Sequence, residues 1–389
     1  MLRLGSVKKR FGFVAVLSLV ASVSLVQGQT SPTCTPPEAI GDGWITAAPE
    51  SVGLDSAQLC AIGARLKFDE ADVHAVVVVR HGKLVFEQYF RGYDEPWGAP
   101  NGPYDFEATS KHDLRSISKS VISLLIGVAI GRELIAGPDQ TVANFFADAT
   151  PKRPDWDRVT VGDLLTMSSG MAWNENLAWT DPANDEPHLG QDADPIGYVL
   201  KKPMIAPPGT IWNYNGGGID LLGAVIERTS GKPLADFARD ALFEPLGISD
   251  WEWKPYRNGK ISSAAGLRLR PRDAAKIGQL MLDHGMWQGR QIVSAAWIAQ
   301  ASVPRFQASG YFGGLFYYGY SWWMGRSLTA NTEVKWIAGV GLGGQRLFIV
   351  PDLDIVVMST SGLYGSPRQG QGALDILNDF VIRSVREPR

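Results

Sequence analysis

Ser116 and Lys119 are the residues whose types and spacing most directly suggest covalent chemistry. They begin a very apolar segment, Ile117 to Ile135, that predicts a buried helix. Positions three apart share a helix face, with Cβ atoms about 5–6 Å apart, so both side chains would reach one point. An apolar wall strips hydration from a lysine amine and lowers its pKa, and a shift of about three units costs roughly 4 kcal/mol. A neutral amine there could take the serine proton.

The position at the start of a helix adds to this chemistry, because helix N-termini favour developing negative charge. Ser118 is a weaker candidate, since its neighbour Lys119 points about a quarter-turn away from it. Ser-x-x-Lys is a short pattern, however, and it is also typical of a capping serine followed by a lysine that extends toward water.

A second element places Tyr214 on a loop before a helix. Residues Pro207 to Gly217 are rich in Pro, Gly and Asn, and they lead into the apolar stretch Ile219 to Glu227. A tyrosine on such a loop can approach a site closely, and its phenol could share a proton with a nearby lysine. The alternative is a tyrosine that packs the loop.

A third element is the glycine-rich segment Gly339 to Gln345, which runs into the apolar stretch Arg346 to Val350. Glycines beside a strand let a substrate carbonyl reach backbone N–H groups, as an oxyanion hole requires. The alternative is a flexible strand connection or a bulge.

Several apolar runs predict the strands that must position these elements. Ala75 to Val79 and Leu84 to Phe90 indicate a hairpin around a turn at residues 80–83. Near the C-terminus, short aromatic or β-branched runs indicate further strands at Tyr318 to Met324, Val334 to Ala338, Arg346 to Val350 and Ile355 to Thr360. Strands are therefore expected at both ends of the chain.

Helical spacing dominates between those ends. It marks Ser56 to Asp72, several segments within 150–260 that show no convincing strands, two helices within 272–302, and Leu374 to Val385. This order predicts an α+β fold: an antiparallel sheet flanked by helices, with a mostly helical lobe of roughly 116–260 inserted.

The N-terminus has the layout of a secretory signal peptide. Four basic residues precede Phe11 to Val26, an apolar run of 16 residues that is short of the roughly 18 needed to span a bilayer. We expect cleavage near Gly28, which gives a signal peptide of 1–28, an N-terminal arm of 29–44 and one large domain of 45–389. The alternative is an uncleaved anchor. In an oxidising compartment Cys34 and Cys60 could form a disulfide, or both could remain free.

Composition narrows the possible partners. The chain has 389 residues, 45% of them hydrophobic, and a net charge of −3. Residues 1–28 hold four basic and no acidic residues, so the mature chain has 33 basic against 40 acidic residues, a net charge of −7. We therefore expect no nucleic-acid partner.

The five histidines lack metal-ligand spacing, and no Gly-x-Ser-x-Gly motif is present, so we expect neither a metal nor a Ser-His-Asp site.

Taken together and in this order, the three elements resemble the serine β-lactamase-like hydrolases. This family includes class C β-lactamases, D-alanyl-D-alanine peptidases, esterases and 6-aminohexanoate-dimer-hydrolase-like enzymes. The resemblance covers roughly residues 45–385. It extends to three blocks outside the proposed site, at Val161 to Gly170, Leu267 to Asp273 and Tyr318 to Trp323.

The resemblance implies a role for each side chain of the site. Ser116 would be the acylated nucleophile and Lys119 its activating partner. Tyr214 matches the tyrosine of the family's Tyr-x-Asn element, and it would carry the proton to the leaving group and help to activate the deacylating water.

The resemblance also implies an oxyanion hole. Gly343 and Gly344 follow Leu342 at the place where the family often has Lys-Thr-Gly or His-Thr-Gly. The two N–H donors would be those of Ser116 and Gln345.

Two departures from the family pattern bear on the substrate. Gly216 stands where the asparagine of Tyr-x-Asn would be, and Leu342 stands where a cation usually holds a substrate carboxylate. We therefore expect an exported hydrolase of small esters or amides, without a cofactor and without a membrane anchor after signal cleavage. The alternatives are a β-lactamase or D-alanyl-D-alanine carboxypeptidase type of penicillin-interacting enzyme, and a non-catalytic binding scaffold.

Overall fold

The computed structural model describes residues 35–66, 72–148, 154–329 and 332–386. The predicted signal peptide, residues 1–28, and Cys34 lie outside these ranges. Cys60 is disulfide-bonded, one of the two outcomes that the sequence left open, and its suggested pairing with Cys34 falls outside the described residues.

Sixteen strands can be assigned in the described ranges. In chain order they are β1 (Ile45–Thr46), β2 (Val73–Arg80), β3 (Lys83–Tyr89), β4 (Arg91–Asp94), β5 (Gly102–Asp105), β6 (His112–Asp113), β7 (Trp251–Trp253), β8 (Leu267–Leu269), β9 (Met286–Trp287), β10 (Arg290–Gln291), β11 (Phe306–Gln307), β12 (Tyr317–Tyr318), β13 (Trp323–Leu328), β14 (Glu333–Gly341), β15 (Gln345–Val350) and β16 (Ile355–Ser361).

Nine of these strands form the main sheet, in the order β1-β3-β2-β16-β15-β14-β13-β12-β11. The two ends of the chain meet where β16 pairs antiparallel with β2. This joint confirms the prediction of a sheet built from both ends. Antiparallel pairing holds throughout except at one edge, where β1 runs parallel to β3.

Eleven α-helical segments accompany the strands in the described ranges. They are α1 (Ser56–Leu66), α2 (Ile117–Gly131), α3 (Val161–Leu165), α4 (Asp185–Gln191), α5 (Pro195–Leu200), α6 (Gly216–Ser230), α7 (Leu234–Ala238), α8 (Pro271–Leu282), α9 (Ala295–Ala301), α10 (Gln371–Asp375) and α11 (Ile382–Ser384). None of the helices in these ranges is long and apolar enough to cross a bilayer.

Helix α2 connects the inserted helical segments to the sheet. Every side chain from Ile117 to Ala129 is buried, as the absence of a polar face predicts. The helix contacts α6 and α9 as well as β14 and β15 of the main sheet. The first turn of α2, which carries the predicted nucleophile, is therefore fixed between the helices and the sheet.

Three details differ from the sequence predictions. The run Tyr318 to Met324 is not one strand, because the chain turns between β12 and β13, where Ser321 adopts a φ of 59°. A small β9–β10 hairpin separates α8 from α9. The short strand β7 lies within the segment expected to be helical. Two- and three-residue strands are too short to produce a readable alternation of apolar and polar residues.

Candidate active site

Ser116 and Lys119 meet as their spacing predicts. Ser116 occupies the N-cap position of α2 without a side-chain capping bond, and the Lys119 Nζ atom donates a hydrogen bond of 2.9 Å to its Oγ atom. Lys119 is 1% exposed, and its second bond, 3.3 Å long, goes to the carbonyl oxygen of Ala264. A buried amine aimed at a serine oxygen is the arrangement that general-base activation requires.

Tyr214 lies directly beside this pair. It precedes α6 by two residues, as predicted, and its ring centroid is 4.9 Å from Lys119 Nζ. Burial and the negative charge of Glu175 raise the pKa of Tyr214, while a hydrogen bond with Ser116 acts in the opposite direction. The phenol is therefore protonated at neutral pH and can serve as a proton donor.

Glu175 is part of the site that sequence reasoning missed. Its Oε1 atom lies 3.9 Å from Lys119 Nζ, and its side chain is 5% exposed. Its Oε2 atom accepts hydrogen bonds from Trp173 Nε1 (2.7 Å) and from the backbone N–H of Gly216 (2.6 Å). Lys119 thus faces a fixed carboxylate rather than the purely apolar wall that the sequence suggested.

Two further acidic residues, Glu186 and Asp220, interact electrostatically with Lys119. Burial and the charge of Glu175 raise the pKa of Glu186 to about 7, and burial raises the pKa of Asp220 to about 6, while the positive charge of Lys119 opposes both shifts. Asp220 accepts hydrogen bonds from Tyr256 Oη (2.7 Å) and from the Ser263 N–H (2.8 Å). No local motif marks these acids, because they reach Lys119 from different helices.

Arg115, directly before the nucleophile, has a left-handed backbone with a φ of 50°, a conformation that is costly for a residue with a side chain. Its side chain is held at Asp113 Oδ2 (3.1 Å) and at the carbonyl of Glu95 (3.1 Å), with its guanidinium 4.6 Å from the ring of Tyr364. The side-chain contacts of Arg115 therefore hold the turn that presents Ser116 in place.

The other side of Ser116 is formed by backbone. Strand β13 pairs with β14 as far as Ala338, whereas Gly339 to Gly341 pair with β15 on the opposite edge. A Cβ atom on Gly341 would lie 2.3 Å from the Leu114 carbonyl oxygen, and one on Gly339 would lie 3.1 Å from Ile117. The end of β14 therefore packs directly against the nucleophile turn.

The predicted oxyanion residues occupy the turn that follows. Gly343 and Gly344 have positive φ values of 85° and 102°. The Gly343 N–H donates to Gln369 Oε1 (2.7 Å), and Gly344 packs against Ser361. Gln345 is buried at the start of β15, paired with Gly341. The assignment of the Gln345 N–H stays a prediction, and the backbone of Gly339 to Gly341 is a second candidate.

Aromatic rings line the region around Tyr214. The ring centroids of Tyr311, Trp323, Trp212 and Tyr318 lie 5.2, 5.7, 6.1 and 6.1 Å from that of Tyr214. Tyr311 donates a hydrogen bond to Asn176, which ties the loop before β12 to the loop that carries Glu175. Within the described ranges no group of three His, Cys, Asp or Glu side chains is arranged to hold a metal ion.

Comparison with known proteins identifies the family. A family model described as Beta-lactamase matches residues 69–377, and the chain belongs to this family of serine hydrolases, which includes esterases and amidases. The chain is 25% identical over 339 residues to 6-aminohexanoate-dimer hydrolase of Paenarthrobacter ureafaciens, a match that covers 81% of this chain and 79% of that one. It is 28% identical over 220 residues to esterase EstB of Burkholderia gladioli, with 52% and 53% covered.

Solved structures agree on the fold. A penicillin-binding protein homolog from Caulobacter crescentus superimposes with a TM-score of 0.63 at 18% identity, over 85% of this chain and 99% of that chain. The resemblance inferred from the sequence and the predicted α+β fold, with its antiparallel sheet flanked by helices, are both confirmed.

Proposed function

We propose that this chain is an exported serine hydrolase that cleaves small esters or amides through an acyl-enzyme on Ser116. The observation that carries the proposal is the 2.9 Å hydrogen bond between Lys119 Nζ and Ser116 Oγ in a buried site beside Tyr214. Export is supported by the signal-like residues 1–28.

In the first half-reaction, Ser116 Oγ forms a bond to the carbonyl carbon of the substrate. Its proton passes to the Lys119–Tyr214 pair, which acts as the base when it holds one proton fewer than in its ammonium–phenol form. The resulting oxyanion is stabilised by the Ser116 N–H, which donates to no protein acceptor within the described residues, and by a second backbone N–H. The bond to the leaving group then breaks, and Tyr214 supplies the leaving group with a proton.

The second half-reaction repeats these steps with water. A water molecule gives a proton to the same pair, its oxygen bonds to the acyl carbon, and the ester bond to Ser116 breaks as the serine regains its proton. The carboxylic acid leaves, and the resting enzyme is restored. The same groups serve in both directions because each step reverses the proton transfer of the other.

The surroundings favour esters and small amides over β-lactams. Leu342, at the position where the family often has a lysine or histidine, is 48% exposed and carries no charge. The Tyr-x-Asn asparagine is absent, and Asn215 instead caps α6 by accepting a hydrogen bond from the Gly218 N–H (2.9 Å). The aromatic rings around Tyr214 suit apolar substituents.

The test is the intact mass of the full chain, expressed with its own N-terminus, after incubation with a fluorophosphonate. We expect one adduct on the wild type and on Ser118→Ala, and none on Ser116→Ala. Ser118 is the matched control, because it stands two residues away and donates to the Arg115 carbonyl (2.7 Å).

Absence of an adduct from the wild type would overturn the acyl-enzyme proposal and favour a binding scaffold. The same mass measurement shows at which residue the exported protein begins. We expect that protein to lack residues 1 to about 28. An uncleaved chain retained with the cells would overturn the proposal of export.

A further inference from the structure

The carboxylate of Glu175 contacts both the lysine of the site and the start of α6, and the proposed mechanism gives it no role. Its Oε1 atom is 3.9 Å from Lys119 Nζ, and its side chain is 5% exposed. Among the described residues no other carboxylate lies within ion-pair distance of that amine. A buried ammonium is costly unless a counter-charge compensates for it. Glu175 is therefore the counter-ion for the ammonium form of Lys119.

Two hydrogen bonds hold this carboxylate in place. Its Oε2 atom accepts from Trp173 Nε1 (2.7 Å), on the same loop, and from the backbone N–H of Gly216 (2.6 Å), the first residue of α6. Both bonds end at Oε2, which leaves Oε1 as the atom that faces Lys119. The carboxylate cannot turn away from the amine without breaking two hydrogen bonds.

Gly216 is the residue that makes room for the carboxylate. It is the third residue of Tyr214-Asn215-Gly216, at the position where the Tyr-x-Asn element has its asparagine. A Cβ atom there would lie 3.0 Å from Glu175 Oε2 and 3.4 Å from the Cβ atom of Ala264. Because protein interiors are close-packed, a side chain at position 216 and the carboxylate would compete for one space. Glu175 thus fills the space into which an asparagine at position 216 would have to extend.

Several other titratable or charged side chains act electrostatically on Lys119 or Tyr214 from the elements packed around this pair. They are Glu186 on α4, Asp220 on α6, Tyr311 before β12, Tyr318 on β12 and Arg346 on β15. Burial raises the pKa of both tyrosines, so they stay neutral from pH 4 to 9, and burial lowers the pKa of Arg346 to about 10, so it stays charged. Burial raises the pKa of Glu186 to about 7 and that of Asp220 to about 6. Of these five groups, the two acids are therefore the ones that change charge in this range.

We infer that Glu175 is a positioning residue that holds a proton on the Lys119–Tyr214 pair and so sets the pH above which the hydrolase is active. A negative charge about 4 Å from an amine favours the ammonium form, so the pair releases this proton only at a higher pH. A base that binds its proton more tightly also takes the serine proton with a larger driving force. The inference rests on the proposed function, because it requires that the pair acts as the base for Ser116.

The experiment measures kcat/KM for phenyl acetate, a neutral ester, from pH 4 to 9 in the wild type and in Glu175→Gln. The quantity compared is the acid midpoint, the pH at which kcat/KM has fallen to half of its plateau. Glutamine keeps the length of the side chain, and its oxygen can still accept from Trp173 and Gly216. We expect the acid midpoint to move about one to three pH units lower. A loss of structure alone would lower the rate at every pH without moving the midpoint.

Three further variants show whether the shift belongs to Glu175. Glu186→Gln and Asp220→Asn remove acids that form no ion pair with Lys119 in the described residues, and each should move the acid midpoint by less than half as much. Glu87→Gln is the matched control, because that carboxylate also pairs with a buried cation, Arg272 (3.4 Å), and accepts from Tyr89 Oη (2.7 Å). It should leave the midpoint unchanged. A shift in Glu186→Gln or Asp220→Asn as large as that in Glu175→Gln would overturn the inference.

Gly216→Asn covers the case in which Glu175→Gln does not fold. It keeps Glu175 in the sequence but puts a neutral amide into the space of the carboxylate, so the acid midpoint should again move lower. An unchanged midpoint in Glu175→Gln, or in Gly216→Asn where it is the variant that folds, would overturn the inference, as would a wild-type profile without a fall at low pH. Failure of the proposed function is distinguishable, because the wild type would then neither hydrolyse the ester nor form a fluorophosphonate adduct on Ser116.

Discussion

The two sides of Ser116 are lined by different chemical groups, side chains on one side and backbone on the other. On one side, α2, the loop before α6 and the 172–176 loop supply the charged or titratable side chains of Lys119, Tyr214 and Glu175. On the other side, the end of β14 supplies backbone and glycines, and a Cβ atom on Gly341 would collide with the Leu114 carbonyl. Both sides meet at the first turn of α2, where Ser116 lies between the titratable side chains and the backbone of β14.

This difference follows from the two tasks of acyl transfer. Moving a proton requires groups whose charge can change, and such groups must be side chains that are buried, paired and held. Stabilising an oxyanion requires fixed N–H dipoles and space for the substrate, which a strand end with glycines can provide. Substitutions on the two sides should therefore reduce activity in different ways. On one side a titrating group is lost, and on the other the backbone no longer fits the nucleophile turn.

The largest effect is expected from Lys119→Met, which removes the amine and keeps a chain of similar length. Hydrolysis of a neutral ester should fall about 10²- to 10⁴-fold, because the variant loses the buried amine that is bonded to Ser116 Oγ. The measurement is kcat/KM from pH 5 to 9. In the wild type it should fall at low pH, as the Lys119–Tyr214 pair takes up a proton.

Lys111→Met is the control for loss of a nearby lysine. Lys111 pairs with Asp250 (2.5 Å) and Glu252 (3.0 Å) rather than with Ser116 or Glu175, and its replacement should change kcat/KM by less than about threefold. A flat wild-type profile from pH 5 to 9, or activity in Lys119→Met close to that of the wild type, would contradict the role of the pair.

A smaller effect is expected on the backbone side, from Gly341→Ala. The new methyl group would lie 2.3 Å from the Leu114 carbonyl oxygen, so either β14 or the nucleophile turn must move. A displacement of about 1 Å can cost up to about 10²-fold in kcat. Unlike Lys119→Met, this variant should keep the wild-type shape of its pH profile while its rate falls.

Gly339→Ala is the matched control on the same strand. Its Cβ atom meets the side chain of Ile117 at 3.1 Å, and a side chain can adjust by a few tenths of an ångström. We expect at most about a threefold loss of activity, since the Leu114 carbonyl and the nucleophile turn keep their places. Equal losses in both variants would show that the close approach at Gly341 has no special part in the site.

The smallest effect is expected on stability rather than rate, from Asp220→Asn. Burial raises the pKa of Asp220 from 3.8 to about 6, so the native state binds the proton more tightly than the unfolded chain. This contribution to stability is complete below about pH 3.8 and is lost as the pH rises through about 6. Asparagine is never charged, so the variant should gain roughly 1–3 kcal/mol relative to the wild type between pH 4 and 7.

Urea unfolding at pH 4, 5, 6 and 7 measures this difference. The asparagine can keep both neighbours, since its oxygen can accept from the Ser263 N–H and its amide can donate to Tyr256. A stability difference that does not change with pH would show that Asp220 keeps an ordinary pKa in the folded protein.

The sequence by itself determined the elements that depend on local pattern. The apolar run after Ser116 predicted α2, the alternation and β-branched runs predicted β2, β3 and β14 to β16, and the three-residue spacing placed Lys119 against Ser116. These features follow from the periods of the helix and the strand, which a single segment reveals. The resemblance of several blocks in order was sufficient for the family.

The tertiary structure alone decided what surrounds those elements. Glu175 and Asp220 act on Lys119 from separate segments of the chain. Gly339 and Gly341 pack against Ile117 and Leu114, on either side of the nucleophile in the chain, whereas Gly343 and Gly344 fit the family pattern. Burial and electrostatic neighbours depend on which distant segments pack together, and no local periodicity encodes that choice.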